Sequence, residues 1–116
     1  MPRDAGTEHH RGMAYTLISS PAGEVAVQPG AVVSKVVHRG DGLDVTVFGF
    51  DTDEQLTEHR AARAAVVQVL SGRLRFIVDD DELDLVAGSW LHMSPGAPHS
   101  LVAIEPTVML LTLVGA

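Results

Sequence analysis

From Tyr15 onward the chain is a succession of short apolar segments, each closed by a turn signal, and this spacing constrains the fold more than any other feature. "YTLISS" runs into Pro21-Ala22-Gly23, "EVAVQ" into Pro29-Gly30 and "AVVSKVVH" into Gly40-Asp41-Gly42. "LDVTVFGF" alternates, with Leu43, Val45 and Val47 on one face and Asp44, Thr46 and Phe48 on the other. "AAVVQVL" stops at Ser71-Gly72, and in the following "RLRFIVD" Leu74, Phe76 and Val78 oppose Arg73, Arg75 and Ile77. The acidic run Asp79 to Glu82 reads as a solvated hairpin tip and lacks the spacing of a calcium loop. "LDLVA", "SWLHM", "HSLVAI" and "TVMLLTLV" complete the series. Segments this short and this rich in β-branched residues predict an all-β sandwich or barrel. One alternative stays open: Asp53 to Ala65 holds good helix formers behind an N-cap-like Thr52-Asp53-Glu54.

With 116 residues the chain is the size of one domain. Residues 1–13, "MPRDAGTEHHRGM", are polar and read as a flexible arm in which His9 and His10 are solvated. Residues 14–116 form the single domain. Aromatic residues are only 4% of the chain, so a core must be built from Val, Leu, Ile and Ala. The net charge of -7 repels phosphate backbones and argues against a nucleic-acid partner. No apolar run has the length of a transmembrane helix, and the N-terminus lacks the apolar core of a signal peptide, so no membrane association and a cytoplasmic location are expected. The chain has no cysteine, which removes disulfides, thiolate metal sites and cysteine nucleophiles.

Histidines are the main candidates for chemistry. His92 and His99 flank the rigid run Pro95-Gly96-Ala97-Pro98, which points to an aimed imidazole at position 99. On a strand through "SWLHM", Trp90 and His92 share one face and Leu91 and Met93 the other. Gln68 interrupts an apolar strand, and its amide needs partners if it is buried. It can line a pocket, bond to backbone or face another subunit. Arg63 is a candidate to close a barrel mouth, and His38 reads as a strand-end residue. No nucleophile elbow, Ser-His-Asp order or Gly-rich phosphate loop is present.

Two stretches resemble the paired motifs of the cupin superfamily: Gly49 to Gly72, "GFDTDEQLTEHRAARAAVVQVLSG", and Gly88 to His99, "GSWLHMSPGAPH". In the second, Gly88, Gly96 and His99 fall in register, with Ser94 at the family's proline position. In the first, Val69, Leu70 and Gly72 supply the ending. Counting back places His59 on the first ligand histidine, Ala61 on the second and Ala65 on the glutamate. Ala103 stands where some members carry asparagine.

The resemblance implies a double-stranded β-helix, the jelly-roll cupin barrel, with a site in its mouth and a homodimeric assembly. It implies a divalent transition metal (Fe, Mn, Ni, Cu or Zn) acting on a small organic molecule in dioxygenase, isomerase or cyclase chemistry. The alanines at positions 61 and 65 leave His59 and His99 from the ligand set. His92 completes a three-histidine site with them if its face of the strand points inward, and three protein ligands are the usual minimum for a catalytic metal. Gln68, Trp90 and His92 are the expected pocket residues around catalytic His59 and His99. Two other readings stand beside the metalloenzyme: a metal-free cupin with His59 or His99 as acid or base, and a module that binds a small ligand without turnover.

Overall fold

The computed structural model describes residues 7–9 and 14–115. The turn residues recognised in the sequence fall where the chain reverses, and the apolar segments between them pair. The strands are β1 (Thr7–His9), β2 (Thr16–Ile18), β3 (Val32–Gly40), β4 (Leu43–Phe50), β5 (Gln55–His59), β6 (Ala64–Ser71), β7 (Arg73–Val78), β8 (Asp81–Val86), β9 (Trp90–Met93), β10 (His99–Ala103) and β11 (Thr107–Val114). Two antiparallel sheets form the body. One has the order β5-β10-β7-β8 and the other β3-β4-β11-β6-β9; β1 and β2 make a separate two-stranded ribbon. The architecture is an all-β jelly roll.

Two expectations are corrected. Asp53 to Ala65 is not a helix: its ends are taken by β5 and β6, because pairing with β10 and β11 outweighs the helix propensity of its Glu, Arg and Ala residues. "EVAVQ" is not a strand. A single 3₁₀ turn, Pro21–Glu24, is followed by an extended segment with no ladder, whose Val25 and Val27 cover a small cluster of Val37, Val47 and Val108. Of the arm expected over residues 1–13, Thr7–His9 is described as β1; the remainder, His10 included, lies outside the described residues. Among the described residues no helix is long and apolar enough to cross a membrane.

The main core lies between the two sheets. Leu74 and Phe76 point inward from β7 while Arg73 and Arg75 point out, as the alternation requires. They meet Phe50, Val67, Val69, Leu101 and Met109 from the neighbouring strands. Strand β4 is covered on both faces: Phe50 enters this core, and Val47 enters the cluster under Val25 and Val27.

The β6–β7 hairpin shows why its turn needs glycine. Gly72 has φ +91°, and a Cβ there would lie 2.3 Å from Thr107 Oγ1 and 2.4 Å from the Pro106 carbonyl oxygen. Thr107 cannot retreat, because it is fully buried and its Oγ1 accepts the Arg73 N–H at 2.9 Å. Gly72→Ala is therefore expected to destabilise the fold by about 2–5 kcal/mol, combining left-handed backbone strain with overpacking. Denaturant midpoints of the two proteins check this; an unchanged midpoint would mean that the turn has room to relax.

Candidate functional site

The site is built by strand register. Strand β10 lies between β5 and β7, and in its pairing with β5 the Cα partners are His99 and His59. Directly opposed residues in an antiparallel pair hold their Cβ atoms about 4.5–5.5 Å apart, so the two imidazoles must meet. Their ring centroids are 4.1 Å apart with the planes at 64°. The β5–β10 register shifts between His99 and Leu101, an irregularity of the kind that re-aims side chains beside functional sites.

Each ring is anchored in the same way. His59 Nδ1 lies 2.8 Å from the Thr57 carbonyl oxygen, and His99 Nδ1 lies 2.9 Å from the Ala97 carbonyl oxygen. A carbonyl only accepts, so Nδ1 carries the proton and donates in both rings. In the neutral imidazole Nε2 then holds the lone pair, which is the orientation that an outer hydrogen bond gives to metal-ligating histidines. The rigid turn supplies the anchor for His99. Gly96, at φ +82°, lets the chain turn sharply, and Ala97 presents its carbonyl to the ring two residues on.

The turn is itself clamped to the β5–β6 loop. The Gly96 N–H donates to the Ala61 carbonyl at 2.8 Å, and Arg60 Nη1 donates to the Gly96 carbonyl at 3.0 Å. Arg63 does not close this mouth. It turns toward the start of β4 and the C-terminal strand, donating to Asp44 at 2.6 Å and to the carbonyls of Leu113 and Gly115. The Arg63 guanidinium in turn holds the Asp44 carboxyl below its ordinary range.

Behind the pair lies a cavity of about 40 Å³, lined by both histidines with Phe48, Phe76, Met93, Met109 and aliphatic side chains. His99 is 6% exposed and stacks near Phe76, whereas His59 is exposed at the mouth. Burial pushes the His99 imidazole below its ordinary value because the cation would be desolvated. The bond to Ala97 opposes that shift and the neighbouring His59 adds to it.

The other expected pocket residues are elsewhere. In β9 it is Met93 that is buried and lines the cavity, so the alternating pleat turns His92 and Trp90 outward. Trp90 is 62% exposed and stacks on His92, with ring centroids 6.5 Å apart. Gln68, paired with Trp90 across β6 and β9, is exposed on the same outer face. Gln68, Trp90 and His92 are therefore corrected: none lines the cavity, and His92 cannot complete a site with His59 and His99. His38 bonds to the Gly40 carbonyl at the far end of β3.

The metal set that the motifs imply does not fit. Ala61 offers only a carbonyl oxygen already used by Gly96, and Ala65 is a buried core residue opposite Met93. Among the described residues no group of three His, Cys, Asp or Glu side chains could hold a metal ion. What sequence reasoning missed is the pair of thioethers: Met93 is placed only on the strand face opposite Trp90 and His92, Met109 is given no role, and only the alternation of β9 and β11 against the barrel axis could have placed them beside the histidines.

The pH dependence of stability follows from His99. Its folded-state pKa lies below the ordinary 6.5, so the unfolded chain takes up a proton first as the pH falls. The His99 contribution is fully present above 6.5 and is lost as the pH falls from there through its lower folded value. The slope from this one group cannot exceed about 1.4 kcal/mol per pH unit. Urea unfolding at a series of pH values checks this: the wild type should lose stability below 6.5 more steeply than His99→Asn, and parallel curves would show that His99 is not desolvated.

With this geometry in hand, comparison with known proteins gives a consistent result. A family model described as a cupin domain matches residues 46–115, more than half of the chain. A conserved protein of unknown function from Streptococcus pyogenes is 26% identical, with a TM-score of 0.79 over 90% of this chain and 91% of that one. A cupin 2 conserved barrel domain protein from Leptotrichia buccalis is 32% identical, with a TM-score of 0.76 over 80% of this chain and 45% of that one. An RmlC-like cupin protein from Desulfovibrio desulfuricans, 21% identical, shares the fold with a TM-score of 0.71 over 88% of this chain and 95% of that one. No curated protein matches the chain. The motif residues, the paired sheets and the family match agree: the chain belongs to the cupin family, as a small RmlC-like jelly-roll domain.

Proposed function

We propose that this cupin is a binding protein whose working centre is the His59–His99 pair, and that it holds a small electron-pair acceptor between the two Nε2 atoms. One observation carries the reading: both Nδ1 atoms are tied to backbone carbonyls, which leaves two lone pairs on adjacent rings at an apolar cavity. The anchors spend no side chain of their own, so the rings are oriented by backbone geometry that the sheet already maintains.

Size separates binding from turnover of an organic substrate. Pockets that enclose drug-sized ligands run to roughly 300–1,000 Å³, and a single water needs about 10–15 Å³. A cavity of about 40 Å³ admits an ion or a group of a few atoms. The metal-dependent chemistry implied by the family motifs calls for a divalent transition metal, and the two alanines leave that metal two side-chain donors. Acid–base catalysis by His99 needs a substrate atom to reach a buried Nε2 through the same small space.

The test is retention. Untagged protein equilibrated with Mn(II), Fe(II), Ni(II) or Zn(II) and then desalted should hold no stoichiometric Mn or Fe by elemental analysis. Native mass spectrometry of freshly purified protein should detect a small guest that disappears in His99→Ala. Stoichiometric Mn or Fe that survives desalting and is lost in His99→Ala would overturn the binding reading in favour of a metalloenzyme.

A further inference from the structure

We infer that the cavity is a cuprous-ion site formed by His59, His99, Met93 and Met109, an inference that rests on the imidazole-pair reading above. The four side chains come from four strands, β5, β10, β9 and β11, and line one cavity of about 40 Å³. Met93 and Met109 are 3% and 2% exposed, so their thioethers are held inside the barrel. Among the described residues no Asp or Glu lines the space.

Donor type, charge and size select the same ion. Thioether sulfur is a soft ligand that favours Cu(I), imidazole suits copper as well, and hard Mg, Ca or Mn seek carboxylate and water oxygen. All four donors are neutral, so among the described residues nothing in the wall offsets the charge of a cation. The cost of moving an ion into an apolar medium grows with the square of its charge, and a monovalent ion incurs about a quarter of the cost of a dication of equal size. Cu(I) has a filled d shell, so irregular two-nitrogen, two-sulfur coordination carries no ligand-field penalty. The position that motif alignment gives to a carboxylate is Ala65, which lies opposite Met93 in the β6–β9 pairing. A neutral sulfur donor on the facing strand in place of a charged oxygen donor shifts the preference toward a soft, monovalent ion.

His99 supports this assignment independently of the sulfurs. Its Nδ1 donates to the Ala97 carbonyl at 2.9 Å, which leaves Nε2 as the ring's donor atom at the cavity. His59 at the exposed mouth gives an ion its way in.

The test is an anaerobic titration of the full chain with Cu(I), using bicinchoninate as the competing chromophoric chelator. It is carried out in a His9→Ala/His10→Ala background so that the adjacent histidines of the N-terminal arm do not contribute. The expected result is one Cu(I) per chain, with a sulfur shell in the copper X-ray absorption spectrum. Met93→Leu and Met109→Leu conserve volume, so they should fold as the parent does. Each should weaken binding by at least the ~10–100-fold that loss of an outer-shell partner costs a metal site. Cu(I) retained at parent affinity in both Leu variants with no sulfur shell, but lost in His99→Ala, overturns the thioether site and leaves the imidazole pair standing. Cu(I) bound equally well by His59→Ala and His99→Ala overturns both, and failure of the parent to retain Cu(I) against the chelator overturns the cuprous assignment.

Discussion

Everything at the barrel mouth depends on the antiparallel register of β5 against β10. That ladder places His99 opposite His59, and two backbone carbonyls, those of Thr57 and Ala97, turn the rings so that their Nε2 lone pairs are free. Each carbonyl stands two residues before its histidine, Thr57 in β5 and Ala97 in the turn before β10, so one local arrangement is used twice. Sliding β10 by one residue would send His99 to the outer face and bring Ser100 inward, because the side-chain period is two. The clamp between the loops at Ala61 and Gly96 holds the two strand ends in that register.

The apolar wall then determines what an imidazole pair can do. In water two neighbouring histidines are two weak bases. Beside Phe76, Met93 and Met109, desolvation lowers the proton affinity of His99, so a proton competes less for its nitrogen. The alanines at positions 61 and 65 remove charged and additional nitrogen donors without disturbing the scaffold: Ala65 packs in the core, and the Ala61 carbonyl holds the turn. A fold shared with many solved cupins thus carries a donor set of different hardness, which is why fold similarity alone does not name a reaction.

Much of this was legible in the sequence. Turn residues and two-residue alternation located β3, β4 and β6 to β11, and the motif spacing brought out Gly72, Gly88, Gly96, His59 and His99. The failures share a cause, since alternation gives the period of a strand but not its phase. "SWLHM" carries a large apolar residue on each face, so Trp90 and His92 could be chosen as inward when Leu91 and Met93 are. Gln68 was misplaced although its own strand argued otherwise, since Ala65, Val67 and Val69 make the more apolar face. "EVAVQ" has the pattern of a strand because it lies against an apolar surface, yet it makes no ladder. Met93 and Met109 went unnoticed because a search for polar ligands passes over thioethers.

The central claim is that His59 and His99 both carry their proton on Nδ1 and present free Nε2 lone pairs, with His99 neutral. Long-range proton–nitrogen NMR correlation of the imidazole rings, followed through a pH titration, reads this directly. The account predicts the Nδ1–H tautomer for both rings at neutral pH and a His99 ring still mostly neutral at pH 6.5. A His99 that carries its proton on Nε2, or that becomes cationic above pH 6.5, would contradict it.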